Sequence, residues 1–317
     1  MFKLPDKFPT SKDDVYEIAD SYECNCILSK DGSTPFHKVF RAASIADDEL
    51  KANGIEDEDD EFNGERLDEV CKEISRREQA CNGNYPFRLE ERGRKLTLNS
   101  HEDDWATIVY IYLLFATRLN MQKNRVHAEI DGTLLFERFS VLVAENYWGS
   151  RTDGMVFGTA AADTDFPSKI SDLCKKIGEG HGFKNRNKAR PTAKDDKLDV
   201  VVWKNFSDNN PAKLIGFGQC KTGTSWEDTL SQLQPDVFCD CWFEDQPIVK
   251  PVRLFFIADT FPINSWYSKA RSAGIIFDRF RIMDFLPPDR GGAVEEQVKK
   301  WVKDALKFAK ATNLAPS

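Results

Sequence analysis

Hydrophobic and polar positions alternate between helical and extended patterns in the second half of the chain. Apolar residues recur at helical spacing over 134–147, with Asp131-Gly132-Thr133 as a start signal and Gly149 beyond the end. Two short apolar runs follow at 198–204 and 213–221. A Ser-Asp-Asn-Asn-Pro segment joins them and has the composition of a turn. The pattern predicts a helix followed by a β-hairpin.

The same alternation continues on both sides of the hairpin. It predicts a helix before the hairpin and helices and strands in turn after it. The expected helices are 167–178, 226–236 with Ser225 as a cap, 264–273 and 294–311, and the expected strands are 252–258 and 275–283. This order predicts an α/β fold, a mixed β-sheet flanked by helices, from about residue 126 onward.

Residues 1–125 follow a different, mainly helical pattern. Segment 66–81 is helix-like, 87–90 alternates briefly, and 105–119 is apolar nearly all round after the cap candidate Asp103-Asp104. An all-apolar helix is expected to be buried. We therefore divide the chain into region 1–125, with an accessory, regulatory or partner-binding role, which includes self-association, and domain 126–317.

Composition fits a folded protein, and charge is unevenly distributed. The 317 residues are 41% hydrophobic and 30% charged, with a net charge of −8 that argues mildly against nucleic-acid binding. The acidic stretch 47–61 is either a solvated loop or a nucleic-acid mimic for a basic groove. The segment after residue 181 is basic, either a solvated loop or a phosphate-contacting one. Its cations are Lys184, Arg186, Lys188, Arg190, Lys194 and Lys197.

Cysteine usage and hydropathy indicate a reducing, aqueous compartment. The chain has eight cysteines, including the pairs Cys24/Cys26 and Cys239/Cys241, but no Cys-x-x-Cys and no zinc-finger spacing. The N-terminus lacks the apolar core of a signal peptide. The longest apolar run, 108–116, is shorter than the roughly 20 residues that span a bilayer. We expect a soluble, cytoplasmic protein without membrane contact.

Three polar residues of the hairpin are the strongest candidates for chemistry. Gln219 and Lys221 share one face of the second strand, and Cys220 faces the other. If Asp199 lies opposite Gln219 or Lys221, all three side chains converge at one end of the sheet. A slip of one residue would send Asp199 to the opposite face. By itself, the spacing Asp-x(19)-Gln-x-Lys recurs by chance in many proteins.

This set suits a divalent metal and a phosphodiester. Carboxylate and amide oxygens are ligands for Mg²⁺ or Mn²⁺, and the main-chain carbonyl of Cys220 is a further candidate. Lys221 would hold the attacking water and offset charge on the phosphorane. Because one carboxylate makes a thin ligand shell, we expect another, with Glu137 as the candidate and Glu145 as the alternative.

These residues resemble the PD-(D/E)xK nuclease superfamily over roughly 126–285. The resemblance implies a restriction-endonuclease-like fold in which Asp199 binds metal and Lys221 is catalytic. Gln219 stands where most members have an acidic residue, as in the Gln-x-Lys variant of Mrr-type enzymes, and the helix glutamate would be Glu137. Leu198 replaces the family's proline.

The resemblance also implies an activity. It indicates a Mg²⁺- or Mn²⁺-dependent endonuclease acting on double-stranded DNA, as in prokaryotic anti-phage defence. Gln232 and Gln234, after the lysine, would reach a phosphate or a base. Two alternatives stay open. The first is an inactive nuclease fold that serves as a binding or scaffold subunit, suggested by the neutral Gln219 and the acidic net charge. The second is an RNase with the same fold.

Overall fold

A computed structural model describes residues 14–35, 59–90, 95–99, 103–158, 165–186 and 196–311, with backbone alone for 59–65. Its helices are α1 (Val15–Leu28), α2 (Asp59–Ala80), α3 (Trp105–Arg118), α4 (Gly132–Trp148), α5 (Phe166–Ile177), α6 (Pro235–Trp242), α7 (Trp266–Ala273), α8 (Arg279–Asp284) and α9 (Ala293–Ala311). Its strands are β1 (Ser33–Pro35), β2 (Phe87–Glu90), β3 (Lys95–Leu98), β4 (Val126–His127), β5 (Ile130–Asp131), β6 (Thr152–Val156), β7 (Val200–Lys204), β8 (Ile215–Lys221), β9 (Val252–Ile257) and β10 (Ile275–Phe277).

A five-stranded mixed sheet forms the centre of the fold, in the order β10-β9-β8-β7-β6. Strands β6, β7 and β8 are antiparallel neighbours, and β9 and β10 run parallel to β8. Helices flank the sheet, so the predicted α/β class is confirmed. The parallel part brings the carboxyl ends of β8, β9 and β10 to one edge, where ligands bind in open α/β sheets.

The two faces of the sheet bury different helices because side chains alternate along each strand. Val200 and Val202 belong to the core cluster that includes Phe139 of α4, whereas Val201 and Phe217 pack with residues of α5 and α6. Gly216 lies on the α4 face. A Cβ there would come within 2.9 Å of the Trp148 ring, so the glycine permits the close helix approach that small residues on this face suggest.

The N-terminal helices share the core of the sheet. One hydrophobic cluster includes residues of α1, α3, α4, β9 and α9 without a break at residue 125. Strands β1, β3 and β2 form a separate small antiparallel sheet. The functional division at residue 125 stays a prediction, and the packing shows that the two regions are built on a common core.

A buried ion network ties the two regions together. Asp20 of α1 accepts hydrogen bonds from Arg77 at 2.7 Å, from Arg118 at 2.6 Å and from Arg279 at 2.7 and 3.1 Å. Glu23 accepts another from Arg77 at 2.9 Å. Asp20, Glu23, Arg77 and Arg279 are fully buried. The sequence interpretation assigned no chemistry to the N-terminal half and missed this network.

Two predicted elements are wrong, and local chemistry explains both. The helix expected at 226–236 is only a short 3-10 turn, Glu227–Thr229, and α6 begins at Pro235. Proline cannot sit inside a helix and holds the preceding residue extended. The strand expected at 275–283 ends at Phe277, because Asp278 accepts the Arg281 N–H at 3.1 Å and caps α8.

Strand β6 was missed by the sequence pattern. Its sequence, Thr-Asp-Gly-Met-Val, contains two poor strand formers and lacks clean alternation. It forms by pairing with β7 over its whole length. Its extension beyond Val156 brings Gly158 to the end of β7, which matters for the site below.

Within the described ranges, no helix combines the length and apolarity needed to cross a membrane. All eight cysteines are free thiols. Two predicted segments lie largely outside the description. These are the acidic stretch, except for the backbone of its last residues in α2, and the basic segment at 187–195.

Candidate active site

Asp199 is fixed at the end of the sheet by hydrogen bonds to both neighbouring strands. It directly precedes β7, and its N–H donates to the Gly218 carbonyl at 2.9 Å. Its own carbonyl accepts the N–H groups of Phe157 at 2.8 Å and Gly158 at 3.1 Å. The main chain therefore sets the position of the Asp199 carboxylate.

The hairpin register brings Asp199 and Gln219 to the same end of the sheet. Val200, the residue after Asp199, pairs with Gly218, the residue before Gln219, and the Asp199 N–H also donates to the Gly218 carbonyl. The Asp199 carboxylate also accepts the Cys220 N–H at 2.8 Å and thus extends across the end of β8. In a strand, the N–H and C=O of one residue point to the same side. The Cys220 carbonyl therefore points to the β7 side of β8, the side on which Asp199 lies.

Glu137 of α4 brings a second carboxylate to this place. It is nearly buried, with 6% of its surface exposed. Its Oε2 lies 2.9 Å, and the Asp199 Oδ1 lies 3.0 Å, from the position that a Cβ would take at Gly158. Both oxygens thus lie so close to Gly158 that a side chain there would displace them. This convergence is the pairing predicted from the need for a second acid.

The pKa of the Cys220 thiol depends on the charges of Asp199, Glu137 and Lys221, so these residues lie near one another. Burial raises the pKa of the Cys220 thiol well above its ordinary value, and the charges of Asp199 and Glu137 raise it further. The ammonium of Lys221 acts in the opposite direction. Asp199, Glu137 and Lys221 therefore share one electrostatic environment, in which Cys220 is an inert protonated thiol.

Glu145, the alternative second acid, lies elsewhere. It is half-buried two turns further along α4 and accepts a hydrogen bond from the Gly154 main chain. Burial raises its pKa. Its carboxylate stands beside the middle of β6, whereas Glu137 stands beside the Asp199 end of the sheet. The structure therefore favours Glu137.

Only the nitrogen of the Gln219 side-chain amide has a hydrogen-bond partner among the described residues. The Gln219 side chain is fully buried, and its Nε2 donates to Gln232 Oε1 at 3.4 Å. Its Oε1 has no hydrogen-bond partner among the described residues. A buried acceptor without a partner costs about 1–3 kcal/mol. A cation or a water at this oxygen would remove that penalty.

Lys221 ends β8 on the same face as Gln219. Its carbonyl accepts the Ala258 N–H at 3.2 Å, which continues the parallel ladder with β9. Its side chain is half-exposed. No ion pair links it to a carboxylate of the described residues. The ammonium is thus available at the edge where the carboxylates of Asp199 and Glu137 meet.

The donor set fits a hard divalent cation. Among the described residues, no three His, Cys, Asp or Glu side chains gather closely enough to hold a metal ion. Two carboxylates, the orphaned Gln219 oxygen and the Cys220 carbonyl instead provide oxygen atoms only. Oxygen ligands suit Mg²⁺ or Mn²⁺, whereas structural zinc sites use sulfur and nitrogen.

Of the six predicted nucleic-acid contacts, three can be located. Lys184 is exposed. Arg186 is engaged locally, since its guanidinium donates to the main-chain carbonyls of Phe243, at 3.4 Å, and Glu244. Gln232 is exposed and contacts the site through Gln219. Lys188, Arg190 and Lys194 lie outside the described residues.

Three further observations concern residues near the site. Gln234, expected to reach a nucleic acid, donates instead to the Ser231 carbonyl at 2.8 Å. The sequence interpretation missed Gly158, although a glycine after an extended segment signals close approach of other groups. It also missed Lys169 of α5, whose Nζ is 3.4 Å from the Gly158 carbonyl. No sequence signal identifies Lys169, because amphipathic helices carry many lysines.

The chain was compared with protein-family models, curated proteins and solved structures. No family model, curated protein or solved structure matches this chain. The geometry of Glu137, Asp199, Gln219 and Lys221 is therefore the basis for assigning a function.

Proposed function

We propose that the chain is a metal-dependent nuclease that hydrolyses phosphodiester bonds in DNA. One observation carries the proposal. The carboxylate oxygens of Glu137 and Asp199 converge over Gly158, next to a strand that bears the orphaned Gln219 oxygen and the Lys221 ammonium. A structural role gives no reason for two carboxylates to approach the same glycine beside a buried amide oxygen without a partner.

The order of elements supports the same proposal. Helix α4 precedes three antiparallel strands, and β9 joins β8 in parallel after α6. Asp199 stands at the start of the second of these strands and Gln219-x-Lys221 at the end of the third. A restriction-endonuclease-like fold places its acidic residue and lysine in this way, so we propose that this fold underlies the sheet.

The residues of the site would have two roles, metal binding and contact with the phosphate. Glu137, Asp199, Gln219 and the Cys220 carbonyl would hold Mg²⁺ or Mn²⁺. Such a metal ion supplies positive charge and a bound water of lowered pKa. The Cys220 N–H fixes the orientation of the Asp199 carboxylate. Lys221 would donate hydrogen bonds to the attacking water and to the phosphate oxygen on which charge develops.

Two alternatives make different predictions. An inactive scaffold would bind nucleic acid or a protein without cleavage, but it gives no reason for the orphaned Gln219 oxygen. An RNase would use the same four residues. We place the activity on double-stranded DNA and in anti-phage defence by the resemblance stated above. We place it in the cytoplasm because the eight free thiols suit a reducing compartment.

The proposal is tested by cleavage of supercoiled plasmid with Mg²⁺, with Mn²⁺ and with EDTA. Wild type should cleave only with metal, and Asp199→Ala and Lys221→Ala should not cleave. The matched controls are Asp172→Ala and Lys300→Ala, at exposed positions of α5 and α9. Cleavage by both site variants at the wild-type rate would exclude the assignment. A parallel digestion of single-stranded and duplex RNA decides between DNase and RNase.

A further inference from the structure

An aromatic cluster lies beyond the carboxyl ends of β8 and β9. Trp226 follows Lys221 by a short connection, and its indole N–H donates to Asp259 at 2.9 Å. The rings of Trp226 and Phe261 are 5.2 Å apart, and those of Phe261 and Trp266 stack at 4.8 Å. The segments that leave both strands thus meet in this cluster, at the sheet edge that carries the proposed site.

The cluster also lies on the same face of the sheet as Gln219 and Lys221. In the parallel pair, Gln219 is beside Phe255 and Lys221 is beside Ile257. Neighbouring residues of paired strands share a face. Phe255 and Ile257 pack in one hydrophobic cluster with Trp226 and Phe261. The aromatic cluster therefore packs on this face next to the strand positions that neighbour Gln219 and Lys221.

The outer side of the cluster combines an exposed ring with cations. Tyr267 of α7 is 70% exposed, more than any other large hydrophobic residue of the described part of the chain. The Arg271 guanidinium lies 4.8 Å from its ring centroid, and that of Arg281 lies 4.2 Å from Trp266. Neither arginine is ion-paired with a described carboxylate.

This chemistry fits unpaired nucleotides. Bases stack on aromatic rings and on guanidinium planes, and arginine also pairs with phosphates. In an intact duplex the faces of the bases are hidden, so only an unpaired segment uses both features. An acidic protein partner would use the arginines, but it would not require an aromatic ring at Tyr267.

We propose that Tyr267, Arg271, Arg281 and the exposed edge of Trp266 form a platform that binds an unpaired DNA segment beside the cleavage site. The inference rests on the proposed nuclease function and specifies its substrate, a duplex DNA with an unpaired stretch next to the cleaved bond. It assigns substrate contacts to α7 and α8, which the resemblance leaves without a role.

Binding without cleavage tests the platform directly. Fluorescence anisotropy in EDTA would follow a labelled oligothymidylate of about 20 nucleotides, longer than usual single-strand sites. Tyr267→Ala and Tyr267→Leu should weaken binding at least about fivefold, whereas Tyr267→Phe keeps the ring and the wild-type affinity. Arg271→Ala should lower the salt dependence of log Kd by about 0.7. The control is Phe206→Ala, an aromatic residue 52% exposed beyond the other end of β7.

The outcomes separate this inference from the nuclease proposal. Oligothymidylate binding that depends on the Tyr267 ring supports the platform even if no DNA is ever cleaved. Metal-dependent cleavage together with unchanged binding by Tyr267→Ala and Arg271→Ala overturns the platform and leaves the nuclease standing. Equal losses for Tyr267→Phe and Tyr267→Ala contradict stacking. Tighter binding of oligouridylate than of oligothymidylate contradicts the choice of DNA.

Discussion

Two polar clusters in this molecule, the core ion network and the proposed site, differ in their exposure to solvent and in the surroundings of their buried polar groups. In the core network, the Asp20 carboxylate receives hydrogen bonds from three arginines. Burial opposes its ionisation, but Arg279, Arg118 and Arg77 hold the pKa of Asp20 well below its ordinary value. These groups satisfy one another inside the protein, which is typical of structural charges.

The proposed site contains a buried amide oxygen without a partner and lies nearer to solvent. The Gln219 oxygen has no hydrogen-bond partner in the described structure, and Asp199 and Lys221 are half-exposed. Two carboxylate oxygens face each other over Gly158. The comparison teaches that charge alone does not mark a functional site. The site differs from the network in that its carboxylates of Glu137 and Asp199 approach one glycine next to a partly exposed lysine at the end of the sheet.

Removal of one arginine from the core network should have the largest effect. Arg279→Met leaves Asp20 with fewer partners in the interior, and loss of one partner of a buried ion pair costs about 3–5 kcal/mol. Urea unfolding measures the change. The control is Arg271→Ala, at an exposed position, which should change the unfolding free energy by less than about 0.5 kcal/mol. An Arg279→Met protein as stable as wild type would contradict a structural role for the network.

Removal of one carboxylate from the proposed site should affect the cleavage rate strongly and the stability little. Glu137→Gln should lower the cleavage rate about 100-fold or more, comparable with the loss of one preorganised electrostatic contact. Without metal, it should change the unfolding free energy much less than Arg279→Met does. Single-turnover cleavage and urea unfolding of the same preparations measure both. Lower stability at an unchanged cleavage rate would show that Glu137 is structural.

Sequence patterns predict what local pairing determines. Alternation in β8 and the hairpin loop 205–214 suffice to place Gln219 and Lys221 on one face and to bring Asp199 to the same end. Glu137 was expected on chemical grounds, but its approach to Asp199 depends on the packing of α4. The core network could not be predicted, because Asp20, Arg77 and Arg279 are far apart in the sequence and each resembles a surface charge. The helix predicted from residue 226 begins only at Pro235, because proline is accepted in the first turn of a helix but not inside it.

Acid should weaken the core network in a defined pH range. The folded pKa of Asp20 is lowered, so its contribution to stability is present above the unfolded value of about 3.9 and is lost as the pH falls from there toward the folded pKa. Wild type should lose stability in this range, by up to about 1.4 kcal/mol per pH unit from this group. Asp20→Asn should lack that component. Unfolding free energies of both proteins across pH 5 to 2.5 measure it, and parallel curves would contradict it.

The smallest expected effects concern two glycines, Gly154 in β6 and Gly158 shortly after it. A Cβ at Gly158 would come within 3.0 Å of both site carboxylates, so Gly158→Ala should separate them and slow cleavage several-fold with little change in stability. A Cβ at Gly154 would lie 2.5 Å from Val141, so Gly154→Ala should lower stability instead. Cleavage rates and melting temperatures of the two variants measure the difference. Equal effects on cleavage would remove the special role of Gly158.

A crystal structure soaked with Mn²⁺, with its anomalous difference map, tests the central claim most directly. The account predicts one manganese peak bounded by Glu137, Asp199 and the Gln219 amide oxygen, and its disappearance in Asp199→Asn crystals. Soaked crystals with manganese at other carboxylates and none between Glu137 and Asp199 would contradict the account.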